Sequence, residues 1–323
     1  MPDGQMPRTI AEMPAQHAAQ PRTKAEARGR FFNTGNAFNV VNPPVPDHLF
    51  TAEPARAIDP ATPTGLIDCD ISGILGSAYP ATSPLVLARY ARIRAGETLA
   101  TDFQASGVIA YVMIGGGTTQ CGDETIAWDA GDLFILPGGV PATHSAGSAD
   151  SVLWIVTNEP QLAFENLRPP APGQAPTDVV HYRGAEIQRQ IDMIYEIGRN
   201  EEIAGSALIF SAERQEATKN ILPTLTAAMN SLPGGVVQRP HRHNSVAVSL
   251  VITGDKCFSV IDGKRKDWAP WATTITPPVS VHSHHNGGTE QALFLIIQDG
   301  GIYYHTRAMG FEFCEQPTAE AAE

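Results

Sequence analysis

The sequence predicts an all-β protein of two tandem jelly-roll barrels joined by a short helix. Three observations predict it. Apolar runs of strand length, broken by Gly and Asp turns, recur from about residue 66 to residue 314. The later runs repeat the grammar of the earlier ones: Gly96 and Gly235 stand 139 residues apart, as do Asp102 and His241, and Gly115 and Gly254. LPGGVPATH then aligns with TPPVSVHSH at a separation of 140, pairing Pro137 with Pro277, Ala142 with His282, and His144 with His284. Finally, Ile187, Ile191 and Ile194 fall at helical spacing between the two runs of strands.

Taken in order, residues 1–65 read as an N-terminal arm and a Pro-rich segment. The first 40 residues are rich in Ala, Pro, Gln, Arg and Gly, with one short helix expected near 23–30. Such an arm is either loose or wraps a neighbouring subunit. Residues 41–65 hold six prolines and follow the surface. Residues 66–165 form the first barrel, with strands in GVIAYVMIGGG, ETIAWDAGDLFILPGG and SVLWIVT. Residues 166–217 are a linker that opens Pro-rich and carries a helix over 184–198. Residues 218–314 form the second barrel, its strands read as TLTAAMN, VAVSLVIT, CFSVIDG, TTITPP, ALFLIIQ and GIYYHTR. Residues 315–323 are an acidic tail.

Composition narrows the class of function. The 323 residues are 42% hydrophobic and 17% charged, which is globular, and long enough for two ordinary domains. A net charge of −12 with no basic cluster argues against nucleic acid and anionic membranes as partners. No apolar run is long enough for a membrane span, and the N-terminus lacks a secretory core. The four cysteines are scattered, with no CxxC, and read as reduced thiols of a cytoplasmic protein.

The chemistry concentrates in residues 235–286, which hold five of the ten histidines: His241, His243, His282, His284 and His285. Side chains two apart on a strand share a face, so His241 and His243 point one way and Arg242 the other. His282, about 40 residues later, closes a three-imidazole pocket. Neutral imidazoles suit Fe, Zn, Cu or Ni rather than Mg or Ca. In the first repeat the aligned positions are Asp102, Gln104 and Ala142, so that barrel is expected to bind no metal.

These residues resemble the two signature motifs of the cupin superfamily. Gly235, His241, His243 and Gly254 fall where the first motif has its Gly, HxH and Gly; Ala247 stands where that motif usually has Glu. Pro277, His282 and Asn286 match the second motif, with Val279 in place of its Gly. Three His and no carboxylate, together with LPGGVVQRPHRH and VHSH, resemble the gentisate and salicylate 1,2-dioxygenases in particular. That resemblance implies a bicupin that uses Fe(II), with Mn or Zn as secondary choices, to cleave the ring of a hydroxylated aromatic acid with O2. Gentisate, salicylate, or a nitro-, chloro- or amino-substituted salicylate would serve. The resemblance also implies that His284 is no ligand but hydrogen-bonds the bound substrate.

The family's substrate-binding Arg is replaced here by Ser249. Arg239 shares parity with the HxH histidines and is the leading substitute, with Arg214 behind it. Trp268, Trp271, Tyr303 and Tyr304 are core residues or an aromatic pocket wall. Cys257 lacks an activating partner. A homo-oligomer, dimer or tetramer, is expected. The rival readings are another cupin metalloenzyme (diketone cleavage, lyase or isomerase) and a non-catalytic cupin that binds a small ligand.

Overall fold

The computed structural model describes residues 7–197 and 205–314. It divides into a small unit ending at Pro43 and a main unit that begins at Pro44. In the small unit the expected helix forms at Lys24–Arg28, where the Thr23 hydroxyl accepts from the Glu26 amide at 3.1 Å. The acidic tail lies outside the described residues.

The main unit is two barrels, each made of two facing antiparallel sheets. The first barrel's larger sheet runs, edge to edge, Val180–Tyr182, Leu133–Pro137, Gly107–Ile114, Ser151–Thr157, Leu87–Ile93 and Gly65–Asp68. Its smaller sheet holds Thr98–Thr101, Ala142–Ala146, Gly116–Cys121 and Glu124–Asp129. The second barrel repeats this plan. Its larger sheet is Leu49–Phe50, Thr273–Thr276, Ala247–Thr253, Ala292–Gln298, Thr226–Leu232 and Ser206–Phe210. Its smaller sheet is Lys264–Asp267, Cys257–Ile261, His282–Asn286, His241–His243 and Phe311–Phe313.

The continuous apolar runs have a physical reason: the central strands are buried on both faces. In Gly107–Ile114, Ile109, Tyr111 and Met113 join a core shared by the two barrels, while Val108, Ala110 and Val112 fill the first barrel's interior. Val248, Leu250, Leu295 and Ile297 supply the second barrel's half of the shared core. The two interiors differ. The first is closed by Trp128, Phe134, Leu136, Leu153 and other apolar side chains. The second holds only small clusters around Leu232, Cys257, Phe294 and Ile296, and its remaining space is the cavity described below.

Three segments differ from expectation. Residues 41–65 are not wholly irregular: Leu49–Phe50 adds an edge strand to the second barrel, pairing with Thr273 and Thr274, and Ala52–Ile58 is helical. The linker is partly sheet, giving Val180–Tyr182 to one barrel and Ser206–Phe210 to the other, with the expected helix at Gly184–Ile197 between them. GIYYHTR is not a strand. Gly300–Thr306 is a helix, and its buried Gly301 packs where a side chain would meet the backbone of Pro223 and Thr224. The last strand is instead Phe311–Phe313, beside the HxH strand.

A hydrogen-bonded knot ties the barrels. Thr273 Oγ1 lies 2.7 Å from Tyr90 Oη and accepts from Trp154 Nε1 at 2.9 Å, and Tyr90 Oη donates to the Trp271 carbonyl at 2.6 Å. The Thr273, Tyr90 and Trp154 side chains are buried, so removing the shared hydroxyl strands the Trp154 donor. Thr273→Val is expected to lower stability by about 1–3 kcal/mol relative to Thr273→Ser, read from urea denaturation midpoints. Equal midpoints would mean the hydroxyl contributes nothing.

Candidate metal centre

The HxH segment is extended, so His241 and His243 face the barrel interior and Arg242 faces out, where it pairs with Glu312. His282 lies directly opposite His241 across the ladder. Side chains so paired are close neighbours, which is why a residue 41 positions later joins the HxH pair. The ring centroids of His282 are 4.3 Å from His241 and 4.8 Å from His243. One ring nitrogen from each lies within 4.8 Å of the others, and this is the one such group of three found among the described residues.

Each of the three rings is oriented by a carbonyl two residues away. His241 Nδ1 meets the Arg239 carbonyl at 3.0 Å, His243 Nδ1 the Ser245 carbonyl at 2.9 Å, and His282 Nδ1 the Ser280 carbonyl at 2.9 Å. A carbonyl only accepts, so each Nδ1 carries the proton and each Nε2 keeps its lone pair. That is the donor set a divalent transition metal requires, with the outer hydrogen bonds that usually fix a ligating imidazole.

Burial keeps these rings neutral. It pushes His243 down to about 4 and His284 to about 3, and the neighbouring imidazoles push the same way. His241 is lowered, and His282 lies well below its ordinary value, again chiefly through burial.

The three rings open into a cavity of about 240 Å³. It adjoins a second of about 480 Å³, sharing Ala207, Asn230, Ile296, Gln298 and Tyr304. Among the described residues, the first cavity is lined by no Lys, Arg, Asp or Glu. Ser249, where the resembling family has Arg, is buried and lines it. Gln298 Nε2 lies 3.3 Å from His243 Nε2.

His284 also lines the cavity, with its Nδ1 2.8 Å from Ser259 Oγ. His285 points away, stacked on Phe258 at 4.5 Å.

The expectation for Arg239 is corrected. Pro240 breaks the alternation, so Arg239 is exposed with its guanidinium 4.1 Å from the Phe313 ring centre, and Gln238 turns inward in its place. Arg214 pairs with Asp178 and does not line the cavity. Of the aromatic candidates only Tyr304 lines it; Trp268 packs behind His284 at 5.9 Å, and Tyr90 uses the Trp271 carbonyl. The Cys257 thiol is buried and pushed up to about 11, so it is not a nucleophile. Gln238, Gln298, Met309 and Phe311 were not singled out in the sequence. Period two from Phe294 and Ile296 would have reached Gln298; nothing local marks Phe311.

The first barrel's register also corrects its alignment. Thr101 pairs with Ala142 as His241 pairs with His282, so a separation of 140 holds here too. The residues at the ligand positions are therefore Thr101, Phe103 and Ala142; Asp102 and Gln104 are exposed. Val279, at the motif's Gly position, has φ 59°, a left-handed conformation unusual for a β-branched residue, and its amide donates to the His243 carbonyl at 2.7 Å.

No family model matches the sequence. Over 116 residues the chain is 28% identical to a 5-aminosalicylate 1,2-dioxygenase of Comamonas sp., covering 34% of this chain and 31% of that one. Over 90 residues it is 32% identical to a 1-hydroxy-2-naphthoate 1,2-dioxygenase of Nocardioides sp. strain KP7, covering 28% and 23%. The matches thus span less than a third of either relative's length. Among solved structures, a salicylate 1,2-dioxygenase from Pseudaminobacter salicylatoxidans superposes with a TM-score of 0.71 at 15% identity, covering 86% of this chain and 91% of that one. A complex of that enzyme with gentisate gives 0.71 at 15% identity, covering 87% and 88%. The fold is the tandem cupin fold of those structures.

Two outcomes are expected. Replacing His241, His243 or His282 singly by Ala should abolish retention of a transition metal through gel filtration, measured by mass spectrometry of the eluted protein; full retention by His282→Ala would exclude it as a ligand. The metal-free protein should also weaken in acid. The unfolded chain takes up protons near pH 6.5, which folded His243 and His144 refuse until about 4. Stability is therefore complete above pH 6.5 and falls towards pH 4, at about 1.4 kcal/mol per pH unit for each such histidine. A denaturation midpoint flat across that window would show the rings open to protons.

Proposed function

We propose that the protein is a ring-cleaving dioxygenase of 2-hydroxylated aromatic acids, with Fe(II) held by His241, His243 and His282. The observation that carries the reading is the pairing of a three-imidazole donor set with a cavity on which the described residues place no formal charge. Neutral ligands leave the ion's charge uncompensated. A substrate carboxylate and adjacent phenolate would supply two negative charges and a chelating pair of oxygens without calling on an arginine in the wall. The substrates named for the two relatives both carry a hydroxyl beside a carboxylate. When bound, the iron would supply electron transfer between ring and O2.

The protein's own residues then orient and shield. The half-buried Asn230 and the buried Ser249 offer hydrogen bonds to ring substituents, and Ile296 and Phe311 cover the ring. His284 holds a proton at the cavity face for a substrate oxygen. The bond between the two substituted ring carbons breaks, and both atoms of O2 enter the product. The reading places the metal in the barrel within residues 218–314 and gives the barrel within 66–165 a structural role. No helix among the described residues is long and apolar enough to cross a membrane.

Protein reconstituted anaerobically with Fe(II) should consume O2 one-for-one with salicylate, 5-aminosalicylate, gentisate or 1-hydroxy-2-naphthoate, with loss of the aromatic ultraviolet band. His284→Ala should keep the metal and slow turnover by on the order of 100-fold. Conversion of a substrate without oxygen uptake would support a lyase instead. No conversion of any of the four acids would leave the dioxygenase reading without support.

A further inference from the structure

The two barrels carry the same buried hydrogen-bond relay. In the second, Trp268 Nε1 donates to Ser259 Oγ at 2.9 Å, and Ser259 Oγ lies 2.8 Å from His284 Nδ1. In the first, Trp128 Nε1 donates to Thr119 Oγ1 at 2.8 Å, and Thr119 Oγ1 lies 2.8 Å from His144 Nδ1. All three members of one relay lie 140 residues from their counterparts in the other. The first relay continues: His144 Nε2 lies 3.2 Å from Thr101 Oγ1, which donates to the Ala142 carbonyl at 3.5 Å.

Hydrogen-bond accounting gives this chain a direction. An indole N–H only donates, so it occupies a lone pair of the hydroxyl. The hydroxyl proton must then find an acceptor, because Ser259 and Thr119 are both buried. Nδ1 of the histidine is the acceptor within reach in each barrel. That fixes the ring proton on Nε2. In the first barrel the Nε2 proton passes to Thr101 and the chain closes on a carbonyl. In the second, Thr101's counterpart by register is His241, whose ring belongs to the trio. His284 Nε2 therefore has no acceptor among the described residues, and its ring lines the cavity.

We infer that Trp268 and Ser259 are positioning residues that lock His284 as an Nε2–H donor, aimed at an oxygen of the ligand in the metal cavity. The acceptor that completes the relay in the first barrel is supplied in the second by the bound acid. The inference rests on the proposed substrate site, but the tautomer itself is independent of turnover. The ligand class is an oxyanion or carbonyl oxygen; a substrate presenting only an N–H there would leave two donors facing each other.

The test uses full-length protein with ¹⁵N-labelled histidine, metal-free and Zn(II)-loaded, with His284 signals assigned through their loss in His284→Gln. The expected result is an Nε2–H tautomer in the unaltered protein and in Ser259→Thr, which copies the first barrel, and a mixed tautomer in Ser259→Ala and Trp268→Phe. In Fe(II) protein, Ser259→Ala should lower kcat by on the order of 10–100-fold at unchanged metal content and nearly unchanged KM, while Ser259→Thr stays within about twofold. Thr119→Val, which cuts the first barrel's relay, should lower the thermal midpoint and leave kcat alone. An Nδ1–H tautomer in the unaltered protein would overturn the inference, as would a tautomer unchanged in both Ser259→Ala and Trp268→Phe. If Ser259→Ala fails to fold, Trp268→Phe decides, since it keeps an aromatic ring at that position and removes the donor. A protein with the expected tautomers and no turnover of any acid would retain the relay and refute the dioxygenase reading instead.

Discussion

Three imidazole lone pairs converge inside a cavity on which the described residues place no formal charge, and the rest of the second barrel follows from that. Each ring is held by a backbone carbonyl on its Nδ1 side, so none can turn its proton towards the others. Burial prevents the rings from gaining further protons near neutral pH. A buried acceptor without a donor is costly, and among the described residues only His243 of the three has a protein donor near its Nε2, the Gln298 amide. A cation relieves all three at once. Interior volume that the first barrel fills with Phe134 and Leu136 is left open in the second, where Thr274 and Thr276 stand at those positions.

The duplication explains how the fold tolerates such a centre. The core shared by the two large sheets holds residues from both barrels, and the Tyr90, Trp154 and Thr273 hydrogen bonds cross between them. The second barrel leans on that shared layer instead of a full interior of its own. The first barrel keeps the strand plan and the Trp–hydroxyl–His relay but closes it on Thr101. Exchanging one small hydroxyl for an imidazole at that register position separates a closed polar chain from one that opens on a ligand.

Much of this was legible in the chain. Strand-length apolar runs and the 140-residue repeat carried the two barrels, and HxH with a distant histidine carried the trio, because period two is a local property of extended backbone. The errors were local as well. Asp102 was aligned with His241 because the separation of Gly96 and Gly235, which occupy the same left-handed turn position, was carried into a following run that is one residue longer in the second barrel; the paired strands set the register at Thr101. Arg239 was given the HxH parity, but a proline between them ends the strand geometry on which parity depends. GIYYHTR has strand-like composition, yet Gly301, packed against the backbone of Pro223 and Thr224, lies in the first turn of a helix there.

By itself, then, the sequence determined the barrel grammar, the repeat and the identity of the three imidazoles, since each is written in spacings that adjacent residues enforce. Only the tertiary structure decided which side chains share the cavity with them. Gln298, Tyr304 and Phe311 reach it from a strand, a helix and a returning edge strand, three successive elements whose turns bring them back over the HxH strand. Ser259 and Trp268 meet His284 through pairing across the sheet and a turn, not through any local pattern. Ladder register and the meeting of remote segments are set by the packing of the whole barrel, and no window of the chain contains that packing.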